Sequence, residues 1–251
     1  MNNSLLGIPV GVPSMDEALS RALSAIDRKV PQIVFSCAMA HSINTAQKDR
    51  EFREALIDSD MVVTDGAGVA LMGRLVGLDL GERIAGEQFF LALMRALSER
   101  GRGRIFFFGS TDRVLELIRK RFAQEFPELE VCGTLAPPLW PWPEDTDQRM
   151  IREIRETQPD VLWIGLGAPK QEKWAYRNRH ALGTPLIGSI GAVFDYFAGT
   201  NPPPPGWVRR FGLETLYRFI REPRRLWRRV FISNSQFVTN VLLTHFLHMR
   251  R

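Results

Sequence analysis

The sequence predicts an α/β fold: a Rossmann-like, mostly parallel sheet with helices on both faces, followed by a C-terminal helical appendage. Three observations carry this. Short apolar, β-rich runs alternate with longer segments of helical period. Polar and glycine-rich clusters recur after the apolar runs, where the strands of an open α/β sheet bind ligands. The last fifty residues differ in composition from the rest: residues 201–251 hold ten arginines and only two acids, Glu214 and Glu222, so the segment is +8 where residues 1–200 are −3.

The strand candidates are 32–37, 61–64, 104–109, 129–135, 160–167 and 185–191, apolar β-rich runs separated by longer helical patterns. The helix candidates are 15–27, 49–58, 68–76, 87–99, 112–125, 145–157 and 170–182. Chain length and a 45% hydrophobic composition allow one full core, assigned to a catalytic domain over residues 1–200. Pro202–Pro205 favours polyproline II and marks the boundary with a basic appendage over 201–251.

A strongly basic tail expects an anionic partner. On a helical wheel started at Arg224, the residues Arg224, Arg225, Arg228 and Arg229 fall within roughly 0–140°. Leu226, Trp227, Val230, Phe231, Phe237, Val238 and Val241 fall within roughly 200–340°. One basic and one aromatic–aliphatic face suit a helix lying in a lipid interface, so the expected partner is an anionic membrane surface. Docking of the apolar face on the protein's own core is the alternative. Nucleic acid would need only the charge and is not expected. The start of the chain has no charged n-region, and Ser233, Asn234, Ser235, Gln236, Asn240, His245 and His248 interrupt the apolar stretch near its end. The expectation is a cytoplasmic protein, peripheral on the inner face of the membrane. Cys37 and Cys132 imply no disulfide framework.

Four clusters follow strands, and a fifth surrounds Arg83. Asp65 stands at a strand end before Gly66-Ala67-Gly68, where a carboxylate can act as general base or simply cap the next helix. Arg83, before the Gly86 turn, can grip a phosphate or pair with Glu82 or Glu87. Gly109 and Ser110 offer backbone N–H groups to an anion at the next helix start. Gly167, Lys170 and Gln171 belong to the run Gly165–Trp174, in which Pro169 suits a first helical turn and Lys170 offers a point charge; Glu172 and Trp174 read as structural. Asp195 follows the last strand and can accept from a ribose or base, or cap. No dinucleotide fingerprint, P-loop or HExxH occurs, and His41, His180, His245 and His248 lack metal-ligand spacing, so no metal and no cofactor are expected. Asp58-Ser59-Asp60 and Asp145-Thr146-Asp147 resemble the cation-holding DxD of metal-dependent transferases but read as caps and solvated turns.

Taken together, these elements resemble the WecG/TagA/CpsF glycosyltransferases. The resemblance rests on Asp65-Gly66-Ala67-Gly68-Val69, Glu82-Arg83-Ile84-Ala85-Gly86, Gly167-Ala168-Pro169-Lys170-Gln171-Glu172-Lys173-Trp174, Gly191-Ala192-Val193-Phe194-Asp195-Tyr196-Phe197-Ala198-Gly199, and a tail running from Gly212 to Arg225. It spans roughly residues 30–230 in unchanged order. It implies an inverting, metal-independent transfer of a hexose from a UDP-sugar to a polyprenyl-diphosphate-linked sugar in bacterial surface polysaccharide synthesis. It implies Asp65 as the base, and with no metal Arg83 is a catalytic candidate to offset the charge of the diphosphate. Donor contacts would come from Gly66, Gly109, Ser110, Gly167, Lys170, Gln171 and Asp195. Arg218, Arg221 and Arg224 would meet the diphosphate or the acceptor. Cys37 and Met39 stand where the family commonly has T-x-N, which hints at a hexose other than N-acetylmannosamine. Pro203-Pro204-Pro205-Gly206-Trp207 replaces an Arg-containing entry to the appendage, and Pro137-Pro138-Leu139-Trp140 replaces a Gly-Tyr-Phe. The alternative reading is a non-catalytic, membrane-recruited nucleotide-binding module.

Overall fold

A computed structural model describes residues 4–28, 32–202, 204–205, 208, 214–221, 223–227 and 233–249. Six parallel strands form one sheet: β3 (Ile33–Ala38), β4 (Met61–Thr64), β5 (Arg104–Gly109), β6 (Glu130–Leu135), β7 (Val161–Gly165) and β8 (Leu186–Ser189). Their order is β4-β3-β8-β7-β5-β6. The chain lays β3 and β4 to one side, crosses over to build β5 and β6, and then returns to fill β7 and β8 between them. Because every pairing is parallel, all six carboxyl ends lie on one edge. A two-stranded hairpin, β1 (Ser4–Leu5) with β2 (Ile8–Pro9), lies outside this sheet.

Parallel strands covered on both faces must be apolar throughout, and β3, β4 and β8 are buried at every position. Alternate side chains then sort to two faces. On one, Phe35, Val63, Phe107 and Trp163 meet α1 (Met15–Arg28), α5 (Gly86–Glu99), α6 (Asp112–Glu125) and α9 (Val193–Ala198). On the other, Phe106, Phe108, Leu162 and Ile187 meet α7 (Glu144–Glu156) and α8 (Lys170–Leu182). Beside them Ala38 and Val62 meet α2 (Ala40–Ala46), α3 (Arg50–Asp58) and α4 (Ala67–Leu75). The predicted strands and seven predicted helices are all present, with ends shifted by at most two residues. The sequence reading passed over α2, α9 and the hairpin.

The C-terminal segment forms helices Glu214–Arg221, Pro223–Trp227 and Asn234–Met249. The last of these corrects an expectation. Phe237 and Val241, assigned to a lipid-facing stripe, are 1% and 2% exposed and pack with Ile43, Val69 and Met72 of the body. A polar seam fixes the dock. His41 Nδ1 bonds Ser233 Oγ (2.9 Å), Asn44 Nδ2 donates to the Ser233 carbonyl (3.0 Å), and Asn240 Nδ2 donates to Asn44 Oδ1 (3.0 Å). An amphipathic stripe looks the same whether lipid or protein covers it, and here the body covers part of it. Trp227, Leu216 and Ile220 remain exposed, whereas Arg228, Arg229, Val230 and Phe231 lie outside the described residues. Among the described residues no helix is long and apolar enough to cross a membrane.

Candidate active site

The crevice begins at β4. Asp65 follows its last residue, and the Asp65 N–H donates to the Ala38 carbonyl at the end of β3 (3.1 Å). The N-cap of α4 is Gly66, at φ +100°, so Asp65 stands one residue outside the helix rather than at its cap position. Arg83 is brought to the same place by the backbone. Thr64 and Arg83 form a parallel bridge, and the Ile84 N–H donates to the Thr64 carbonyl (3.1 Å). Glu82 points elsewhere and accepts from the Met15 N–H at the start of α1 (2.7 Å). Asp65 and Arg83 are thus neighbours on one strand edge, both partly exposed.

The loops after β5, β7 and β8 lock together. A side chain at Gly109 would come within 2.6 Å of the Gly165 backbone, and one at Gly165 within 2.6 Å of the Phe194 ring. Only glycine allows that stacking of backbones. The Ser110 N–H donates to the Gly165 carbonyl (3.2 Å), and the Gly191 N–H to the Ile164 carbonyl (3.2 Å). Gly109, Ser110, Gly167 and Asp195 therefore sit on one interlocked ledge. Lys170 opens α8 and is exposed there. The Asp195 carboxylate accepts from the Thr200 hydroxyl (3.1 Å), and the N-cap of α9 is Ala192, so Asp195 is not a cap.

Gln171 and Glu172 are buried, at 5% and 3% exposed. Gln171 Oε1 accepts from the Gly167 N–H (3.0 Å), and Nε2 donates to Glu172 Oε1 (2.9 Å). The carboxamide thus holds the loop that carries Gly167. Glu172 Oε2 and Ser189 Oγ, the latter at the end of β8, are buried with no hydrogen-bond partner in the protein. Burial pushes the Glu172 carboxyl up to about 7, against the Gln171 hydrogen bond that pulls it down. Cys37 lies at the end of β3, and a side chain on Gly86 would meet its Sγ at 3.0 Å. Burial, and then the negative charges of Asp65 and Glu172, push its thiol well above its ordinary value. No pattern in the sequence signals that Glu172 is an under-bonded acid at the site.

The two Asp-x-Asp strings are structural. Asp58 and Asp60 both pair with Arg179 (2.6 and 2.8 Å), beyond the amino ends of the strands. Asp147 is no solvated turn: its Oδ1 accepts from the indoles of Trp142 (2.8 Å) and Trp174 (2.6 Å). Among the described residues, no three His, Cys, Asp or Glu side chains are grouped to hold a metal ion. Arg218 and Arg221 lie in the helix Glu214–Arg221, which packs against Pro223–Trp227, where Arg224 is exposed.

Known proteins resemble this chain in sequence. The family model described as the glycosyl transferase WecG/TagA/CpsF family matches residues 3–251. Among curated proteins, the N-acetylglucosaminyldiphosphoundecaprenol N-acetyl-beta-D-mannosaminyltransferase of Bacillus subtilis (strain 168) is 28% identical over 91% of this chain and 81% of its own. The enzyme of the same name from Bacillus spizizenii is 31% identical over 78% of this chain and 74% of its own. The one from Staphylococcus aureus (strain MW2) is 22% identical over 74% and 71%. With a family-model match that runs almost from end to end, the chain belongs to the WecG/TagA/CpsF family of glycosyltransferases.

Proposed function

We propose that this enzyme transfers a hexose from a UDP-sugar to a polyprenyl-diphosphate-linked sugar, with inversion and without a metal ion, in the synthesis of a bacterial surface polysaccharide. The observation that carries the reading is the placement of Asp65 next to the Thr64–Arg83 bridge, on the same carboxyl edge of the sheet as the loops of Gly109, Ser110 and Gly167. The acceptor class is supported by the names of the relatives, each of which acts on an N-acetylglucosaminyldiphosphoundecaprenol.

In this reading an acceptor hydroxyl attacks the anomeric carbon of the donor from the face opposite UDP. Asp65 takes the hydroxyl proton as the new C–O bond forms. The bond from the anomeric carbon to the diphosphate breaks, and UDP leaves with the electron pair. Its growing charge is met by Arg83, by Lys170 and the N–H groups at the starts of α6 and α8, and by Arg218, Arg221 and Arg224 when the appendage closes on the site. Asp195 holds the nucleoside side of the donor. Gln171 works one step back, by fixing the Gly167 loop. The enzyme works at an anionic membrane surface on the cytoplasmic side, where its acceptor is anchored.

The experiment is a panel of UDP-hexoses with a lipid-diphosphate-linked N-acetylglucosamine, run with and without EDTA. One donor is expected to turn over, with retained rate in EDTA and an inverted anomeric configuration. Cys37 and Met39 at the end of β3 favour a hexose other than N-acetylmannosamine. Loss of turnover in EDTA with recovery on Mg²⁺ or Mn²⁺ would overturn charge compensation by arginine, and no turnover with any donor would overturn the reaction.

A further inference from the structure

α4 starts two residues after Asp65, and its two faces differ. Val69 and Met72 are buried, at 1% and 4% exposed, whereas Leu71 and Leu75 stand 59% and 63% exposed. Residues four apart share a helix face, and exposed Arg74 lies between them along the chain. Two bare leucines in succession on a nine-residue helix have no use in water. Their distance from the base is short: at 1.5 Å per residue, Leu71 is about 6 Å and Leu75 about 12 Å along the axis from the first helical residue. The helix Asn234–Met249 sinks Phe237 and Val241 into the same cluster that holds Val69 and Met72. Its other face leaves Val238, Leu242 and Leu243 exposed, and the helix has no Asp, Glu, Lys or Arg in its sequence.

We propose that α4 is a membrane-contact element, with Leu71 and Leu75 entering an anionic bilayer beside Asp65, Arg74 meeting the head groups, and Val238, Leu242 and Leu243 extending the same contact. This rests on the acceptor class proposed above. In such an acceptor, only a sugar and a diphosphate separate the reacting hydroxyl from the prenyl chain. The base must therefore come to the bilayer surface, and the exposed Leu71 and Leu75, on the helix that starts two residues after it, are the apolar residues proposed to meet lipid. Leucine entering the acyl boundary with arginine at the head groups is the chemistry of an interfacial helix. The contact would orient the site toward the membrane.

The test uses the full chain carrying L71S/L75S, and separately R74E. Both change exposed side chains, and thermal midpoints near that of the unmodified chain verify the fold. Partition is measured on phosphatidylcholine vesicles with and without phosphatidylglycerol. Activity is measured with a long-chain acceptor in vesicles and with a short-chain, water-soluble acceptor. For L71S/L75S we expect a loss of about tenfold or more in vesicle partition. The KM for the bilayer acceptor should rise with it, while kcat and KM on the soluble acceptor stay the same. R74E should lose partition only where phosphatidylglycerol is present. Wild-type partition by L71S/L75S overturns the proposal, and so does equal loss of activity on both acceptors. A patch that instead holds a second copy would show as a dimer that L71S/L75S dissociates with vesicle binding unchanged, which also overturns it. If the unmodified chain transfers sugar to neither acceptor, the reaction fails, and vesicle partition still decides the role of α4.

Discussion

Strand β4 is flanked by two aspartates, Asp60 before its first residue and Asp65 after its last, and they have opposite fates. The Asp60 carboxylate is consumed by the fold. Its Oδ2 accepts from the Val34 N–H (2.9 Å) and from Arg179 (2.8 Å), which is itself only 11% exposed at the side chain and also holds Asp58. Asp65 stands at the opposite, carboxyl edge, where Ser189 Oγ at the end of β8 and Glu172 Oε2 in the first turn of α8 are buried with no hydrogen-bond partner in the protein. At the amino edge the carboxylates of Asp58 and Asp60 serve the fold. At the carboxyl edge Gly66, Gly109 and Gly167 take positive φ, a conformation glycine adopts without steric cost and one that lets the backbone approach a ligand closely. The same residue type at the two ends of four residues of strand thus has two roles, and substitutions should separate them.

The largest effect is expected at the catalytic end. D65N keeps the shape of the side chain and removes its basicity. Turnover should fall by about 10²–10⁴-fold with donor affinity retained, since general-base catalysis is worth that much. The thermal midpoint should move little. Single-turnover assays alongside donor titration check both halves, and near-normal turnover would end the assignment of Asp65.

The second concerns the appendage, which the comparison places on the structural side as well as the functional one. F237A empties a site that is 1% exposed within the body's cluster. A loss of about 3–5 kcal/mol in unfolding free energy is expected, as for buried Phe→Ala in general. A helix held only by lipid would show no loss in vesicle-free buffer. For the same reason, a chain cut after Thr200 should be destabilised or aggregate, because Ile43, Val69 and Met72 lose their cover. This reverses what the proline boundary at 202–205 suggests.

Why the sequence misleads here is physical. The strands are legible because a parallel strand buried on both faces is a short apolar run closed by a turn residue, and 61–64 and 104–109 are read to the residue. The helix α2 is not legible. Ala40–Ala46 is seven residues with a polar middle, and its His41 and Asn44 find partners at Ser233 and Asn240, nearly two hundred residues on. Local pattern cannot report such a contact. Phe237 and Val241 were legible as an apolar stripe, but the stripe does not say what covers it. The loops of the crevice are visible as Gly-rich strand ends. Their interlocking is not, because it depends on Gly109 meeting Gly165 across two neighbouring strands. Glu172 reads as an ordinary helix-starting acid, and only burial reveals its state.

That state gives a third, smaller effect. With its pKa pushed up to about 7 from an ordinary 4.5, Glu172 holds a proton in the folded chain that the unfolded chain has already released. Stability from this group therefore falls as pH rises through that window, and stays lowered above it by roughly 3 kcal/mol. E172Q keeps an acceptor for Gln171 Nε2 and cannot ionise. It should be more stable than the unmodified chain at pH 8 and lose that advantage near pH 5. Paired thermal or urea unfolding series at the two pH values measure the difference. A pH-independent difference between the two proteins would mean that Glu172 titrates as an ordinary carboxyl.

The smallest effect is expected at the other end of β4, and it completes the contrast. D60A removes the acceptor of the Val34 N–H and half of the carboxylate pairing of Arg179. Arg179 keeps Asp58 (2.6 Å), so the guanidinium is not stranded, and Gln32 still accepts from its Nε (3.3 Å). The loss should therefore be that of one buried donor left unmet, about 1–3 kcal/mol, rather than that of an unpaired buried charge. Catalysis should not follow. Asp60 lies the full length of β4 from Asp65, and the four strand positions between them, Met61 to Thr64, are buried and hydrogen-bonded into the sheet. Folded D60A should keep its kcat while its urea midpoint falls, the mirror image of D65N. A drop in kcat that tracks the folded fraction is expected on warming. A drop in kcat at a temperature where D60A is fully folded would show that the two ends of β4 are coupled, and that the division of labour between the sheet's edges is less complete than the hydrogen bonds imply.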